Sequence, residues 1–262
     1  MRTEIEEILA GSFDFRVHAN PDTDIERRVD FLEAGRDAHE AQMAGFVYLS
    51  HHQPTATLAY ALNRMYPGLN TIGSIALNTA VGGINPEAVI VAAKLGARVV
   101  WMPTRSADIV PVTDAAGDLL PEVGNLLDIV EEYDLVLAST HISASDTIKL
   151  FDVARSRNIG RLIVSNPTAR MNDQHIECLK SLGVFFELPF YAYQHEEPAK
   201  IVSDIEMLGP DHCIVATDFG HWMTATPAEG MRLAIAMLFQ GGLAPEEISR
   251  LVADNPLGLV IA

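Results

Sequence analysis

Only two cysteines occur in 262 residues, Cys178 and Cys213, well separated in the chain. That excludes a disulfide framework and points to a reducing compartment, so the chain is expected to be cytoplasmic. No apolar run approaches the roughly 18 residues that a membrane-spanning helix needs. The opening segment MRTEIEEILAG is acidic and lacks the apolar core of a secretion signal. Basic residues are scarce: 18 Lys and Arg face 35 Asp and Glu, a net charge of −17. Such a surface repels phosphate backbones and anionic lipid, so neither nucleic acid nor membrane is an expected partner. There is no linker, low-complexity tract or charge block, and one domain covering 1–262 is expected. A chain of this length buries about three quarters of its unfolded surface and needs no staple to fold.

What is present is a repeat. Short apolar runs recur at 13–17, 45–49, 71–77, 97–102, 134–138, 161–165, 184–188 and 213–217, separated by segments of helical periodicity. Runs such as RLIVS and CIVAT suit strands buried on both faces. Eight strands alternating with helices predict parallel βαβ units, and a closed (β/α)8 TIM barrel fits that number better than an open sheet. Ser143 and Ser145 stand where the helix after strand five would be capped, and Pro86 and Pro227 suit the first turns of their helices. The methionines Met65, Met207 and Met237 are expected in the core. A final helix is expected over 244–257.

Active sites of such barrels lie at the C-terminal ends of the strands. Those ends here carry Arg16 and His18, His51 and His52, Asn78, Trp101 to Arg105, His141, Asn166, Glu187, and Asp218 to His221. Five of nine histidines fall there, which points to metal binding or acid–base work rather than to scattered surface residues. Gly82-Gly83 reads as a tight turn, with an anion cradle as the alternative. Trp101 and Trp222 are placed at the rim of an apolar pocket mouth.

At this point the motifs resemble a known group. DFRVHANPD is similar to the start of barrels of the amidohydrolase superfamily. SHHQPT, ALNTAVGGINPEAV, ARVVWMPT, STHIS, TDFG and DNPLGLV resemble, in order, an uncharacterised branch of it. The resemblance implies a hydrolase whose metal would be held by His18, His141 and Asp218, with His51 or His52 as a further ligand. Asp218 would act as the base. The sequence departs from the superfamily pattern at three ligand positions: Arg16 replaces the first His of HxH, Asn166-Pro167 replaces His-Pro, and Leu49 stands where a Lys is expected. A guanidinium opposes a nearby cation, so at most one divalent metal, zinc or manganese, is expected, and no organic cofactor.

The expected activity is hydrolysis of an amide, lactone or ester bond in a small molecule, an anionic one if Arg16 binds its carboxylate. Asp218, His141 and Arg16 are the expected catalytic residues. Arg16, Arg105, Asn166, Trp101 and His221 are expected to line the substrate. Two other readings stand beside it: a lyase, either a decarboxylase or a hydratase, on the same scaffold, and a non-catalytic barrel with a degenerate metal site. Barrels of this type form dimers, so the resemblance leaves a homo-oligomer open.

Overall fold

A computed structural model describes residues 2–261. Its strands are β1 Phe13–Val17, β2 Gly45–Tyr48, β3 Asn70–Ala76, β4 Ala97–Trp101, β5 Val136–Ser139, β6 Leu162–Ser165, β7 Phe185–Pro189 and β8 Cys213–Ala216. They pair in sequence order in one parallel sheet. The last strand returns to the first through a bridge between Val17 and Phe219. There the His18 N–H donates to the Phe219 carbonyl at 2.9 Å and the Asp218 N–H to the Arg16 carbonyl at 3.1 Å. The result is the (β/α)8 TIM barrel that the repeat predicts.

The helices wrap the outside: α1 Arg2–Leu9, α2 Phe31–Glu40, α3 Ala56–Met65, α4 Pro86–Lys94, α5 Pro121–Glu132, α6 Ala144–Ser156, α7 Asp173–Ser181, α8 Phe190–Tyr193, α9 Pro198–Leu208, α10 Pro227–Gln240, α11 Pro245–Ser249 and α12 Asn255–Val260. Their starts follow local chemistry. Ser143 caps α6 by accepting from the Asp146 N–H, and Pro86 and Pro227 occupy first turns as expected. The segment of helical periodicity after β1 becomes helix only at Phe31. Asp22 instead accepts the N–H groups of Asp24 and Ile25 and the Arg27 guanidinium, and Asp30 forms a capping box with Glu33. Helix α1, which the repeat did not predict, buries Ile5, Ile8 and Leu9. Met65 and Met207 are corrected from core to surface, at 53% and 40% exposure. The terminal helix is broken by a π-helical stretch over Arg250–Asp254. Leu259 and Val260 of α12 pack into the barrel interior from its N-terminal end, beside Phe13 and Ile214.

The barrel interior alternates, and that alternation positions the site. Val47 and Leu49, Val99 and Trp101, Val136 and Ala138, and Ile214 and Ala216 all face inward. Continuing by two residues brings His51, Thr140 and Asp218 inward at the C-terminal end. β1 departs from the rule. Its register with β2 shifts between Asp14 and Val17, a β-bulge that turns Asp14 and Val17 outward around two successive inward residues, Phe15 and Arg16. The bulge therefore sets a guanidinium at the top of an otherwise apolar barrel.

Candidate active site

Arg16 sits 6% exposed above the face of Trp101, its guanidinium carbon 5.0 Å from the ring centroid. Nη2 donates to Glu187 Oε2 at 2.6 Å and to the Ser165 hydroxyl, and Nη1 donates to Asp218 Oδ2 at 3.3 Å. Three successive strands, β6, β7 and the end of β8, thus meet one fixed cation. This changes two expectations. The terminal nitrogens of Arg16, expected to bind a substrate carboxylate, are taken up by Asp218, Ser165 and Glu187. Trp101 is fully buried beneath them, so it forms the floor of the site and not its rim.

Asp218 follows β8 with φ at +55°, an unusual conformation for a residue with a side chain, and such strain is commonly kept at functional positions. It is fixed from both sides. Next to it Gly220 has φ at +136°, and a Cβ there would come within 2.0 Å of the His18 carbonyl oxygen. Only glycine lets the β8 loop pass this close to β1. On the other side, His18 Nε2 stands 3.1 Å from Asp218 Oδ1, while its Nδ1–H donates to the Leu49 carbonyl at 3.0 Å. Both neighbours of the ring are acceptors, so His18 and Asp218 can share one proton between Nε2 and Oδ1. The Asp218 side chain keeps 24% exposure, the most open group of the cluster.

The two histidines after β2 part company. The His51 ring stacks on His18, centroids 4.9 Å apart. His52 turns away toward Asp22 and Asp24, its Nε2 3.5 Å and 3.4 Å from their oxygens. Those acids belong to the 19–30 loop, which Arg105 ties to the β4 loop through Asp24 at 3.2 Å. Arg27 and His221 join the same loop to the β8 end by a bridge. The exposed His141 is clamped by Arg170: Nη1 donates to its Nδ1 at 3.1 Å and Nη2 to its carbonyl at 2.7 Å. Asn166 lines a polar recess of 180 Å³ with Thr168, Tyr193 and Asp204. Gly82 and Gly83, with φ at +91° and +73°, form the tight turn expected of them and edge a cleft of 390 Å³ with Ile84, Val110 and Leu120.

Electrostatics divide the carboxylates. Burial works to raise Asp218, but Arg16 and His18 outweigh it and hold its carboxyl well below the usual range. Burial raises Glu187 despite its bond to Arg16. Burial also pushes Asp14 up to about 7, against the hydrogen bonds it accepts from the Thr217 hydroxyl and N–H and the Arg16 N–H. Burial lowers the histidines as well. His18 is lowered against the pull of Asp218, His51 falls to about 2, and His141 is lowered further by Arg170. The acid pair at the mouth is therefore ionised Asp218 and its partner His18, ringed by imidazoles held neutral.

Residues 11–187 match the model of a family of unknown function (DUF6282). The chain belongs to that family. No curated protein matches it. Among solved structures, an amidohydrolase from Pseudomonas aeruginosa superposes with a TM-score of 0.69 at 10% identity, over 98% of each chain. The phosphotriesterase homology protein from Escherichia coli, with phosphate in its active site, gives 0.70 at 10% identity over 96% of this chain and 99% of that one. A lactonase mutant from Deinococcus radiodurans gives 0.62 at 10% identity over 96% of each chain. At these identities the likeness is one of fold.

The DUF6282 chain does not offer the divalent-metal site that the amidohydrolase resemblance implies. A ligating histidine coordinates through one nitrogen while its other N–H donates to an acceptor. His18 meets that requirement. His141 does not: Arg170 can only donate, so the lone pair on Nδ1 is used and the ring proton stays on Nε2. Asp218 is occupied by Arg16 and His18, and His52 faces away. Among the described residues no three His, Cys, Asp or Glu side chains converge as a metal site. A guanidinium stands among the carboxylates in place of the first ligand.

Glu187, Ser165, Asp14, Thr104, Asn78 and Arg170 complete this network; the sequence places Asn78, Thr104 and Glu187 at strand ends without a role, and does not single out Ser165, Asp14 and Arg170. The inward alternation carries the signal for Ser165 and Glu187, each two residues beyond an inward apolar side chain. Nothing local marks Arg170, which reaches His141 from the loop after β6.

Proposed function

We propose that this chain is a hydrolase of an amide, lactone or ester bond in a small anionic molecule, worked by the His18–Asp218 pair. The observation that carries the reading is the single-proton relationship between His18 Nε2 and Asp218 Oδ1 at the open end of the barrel. A neutral His18 beside an ionised Asp218 turns two lone pairs toward one another, and a proton arriving between them relieves that repulsion. A water attacking the substrate carbonyl gives its proton to the pair, and the pair returns it to the leaving group. Arg16 keeps Asp218 in place throughout and remains charged. The Nε2–H of His141, set by Arg170, is available to polarise the carbonyl. The exposed guanidinium groups of Arg105 and Arg170 suit an anionic substrate.

The test is a panel of carboxylate-bearing lactones, esters and amides, followed by proton release, with Asp218→Asn beside the native chain. Turnover by the native chain alone supports the reading. A panel left intact by the native chain rejects it. The second reading, a lyase, is favoured by the guanidinium that stands where a ligand is expected. It requires carbon dioxide release or water addition with candidate acids under the same conditions.

A further inference from the structure

We propose that Asn78 and Thr104 fix His51 as a neutral imidazole protonated on Nε2, a hydrogen-bond donor aimed at the substrate's reacting oxygen. The orientation of the Asn78 amide is fixed by its partners. Asn78 Oδ1 accepts the N–H groups of Thr104 at 2.9 Å and Ser106 at 3.1 Å. Its Nδ2 must then face the other way, where it donates to Thr104 Oγ1 at 2.7 Å and to the His51 carbonyl at 3.0 Å. The Thr104 hydroxyl receives that bond and has one proton left to give. Its other neighbour is His51 Nδ1, 2.9 Å away. The opposite arrangement, with Nδ1–H donating, would strand the hydroxyl proton of a residue 4% exposed without an acceptor. Nδ1 is therefore the acceptor, and the proton of a neutral ring lies on Nε2.

That nitrogen makes no hydrogen bond within the described residues, and it is not among the buried unpaired atoms, so it is open to a ligand. The ring lies against His18, at 4.9 Å and 29° between planes, which places the free N–H beside the pair that handles the proton. Burial and the charges of Arg27 and Arg105 keep the ring from taking a second proton. A neutral N–H held ready costs no reorganisation when negative charge develops on an oxygen in front of it. Asn78 and Thr104 are positioning residues in this arrangement, acting through His51. The donor role rests on the hydrolytic reading of the site, whereas the tautomer does not.

The test is long-range proton–nitrogen NMR on the full-length ¹⁵N-labelled chain at neutral pH, with the His51 signals assigned through His51→Gln. The expected spectrum has a protonated Nε2 and an unprotonated Nδ1. Thr104→Val removes the hydroxyl proton, and the Nδ1–H form should then appear. Thr104→Ser should retain the native pattern. If the valine variant unfolds by circular dichroism, Thr104→Ala serves in its place. A native His51 protonated on Nδ1, or on both nitrogens, overturns the proposal, as does a spectrum that the valine variant leaves unchanged. With a hydrolysed substrate in hand, Thr104→Val should lower kcat by up to about 100-fold and change KM little, less than the ~10²- to 10³-fold cost of deleting a polarising donor outright, because part of the ring population keeps its Nε2–H. An effect confined to KM removes the donor role. If no substrate is hydrolysed but the spectra are as expected, the tautomer stands and the hydrolytic reading is what fails.

Discussion

Arg16 Nη2 and Glu187 Oε2 meet at 2.6 Å with side chains only 7% and 0% exposed. An ion pair so deeply enclosed is costly to desolvate, and removing one partner leaves the other charged in a medium that cannot solvate it. Arg16→Met should therefore destabilise the fold by about 3–5 kcal/mol. Pairing it with Glu187→Leu should recover part of that loss, because the stranded carboxylate goes too. Urea unfolding of the two variants and the native chain at pH 7 measures both effects. A single variant as stable as the native chain would mean that the guanidinium is not what holds the two carboxylates.

Arg16→His exchanges the fixed cation for a ligand. His18, Asp218 and Glu187 would then surround a new imidazole with no resident positive charge, a combination suited to zinc. The apo variant should melt below the native chain, and added zinc should raise its Tm in proportion to the logarithm of zinc concentration. The native chain should not respond through this site. Thermal melts across a zinc series decide it, and equal responses from both chains would contradict the account of Arg16 as the obstacle to metal.

How far this site could be read from the sequence follows from the same residue. The eight strands were legible because parallel strands buried on both faces leave unbroken apolar runs, and the polar residues at their ends were legible because barrels place chemistry there. Arg16 stood out as a departure from HxH. Its partners did not, since Ser165 and Glu187 approach it only once the barrel closes, and the bulge at Asp14–Val17 that re-aims it has no signature in FDFRV. Nor can periodicity choose between His51 and His52. The choice depends on where β2 stops, and the stacking of His51 on His18 settles which ring joins the cluster. Trp101 looked like a rim residue because it ends a strand, yet the next inward layer lies above it.

Asp218→Asn keeps the shape of the mouth and removes its base. Asparagine tolerates the left-handed backbone of this position, where φ is +55°, so the fold should be retained. The amide can still accept from Arg16, but it cannot hold a proton with His18. On a hydrolysed substrate, kcat should fall by about 10²- to 10⁴-fold, the range associated with loss of a positioned acid or base. Steady-state kinetics beside a melting curve separate this from simple unfolding. Full activity in the asparagine variant would remove Asp218 from the proton path.

Asp14 supplies a pH signature. Its folded pKa is raised to about 7, against about 4 in an unfolded chain, because burial penalises the ionised form. A group that binds its proton more tightly when folded contributes stability that is complete below its unfolded pKa and is lost as pH rises through the folded value. The contribution of Asp14 should therefore decline between about pH 4 and pH 7. The lowered histidines act oppositely: His18, His51 and His141 add stability above about pH 6.5 that is lost as pH falls, so the slope of the native chain alone is a mixture. The difference between native and Asp14→Asn isolates the carboxyl, since the asparagine Oδ1 can keep the bonds from the Thr217 and Arg16 N–H groups while its amide donates to the Thr217 hydroxyl, without titrating. Urea unfolding of both chains at intervals from pH 5 to pH 8 should show the native chain losing ground to the variant as pH rises. Parallel curves would mean that Asp14 enters the folded state with an ordinary carboxylate pKa, and that burial beside Thr217 is not what sets its charge.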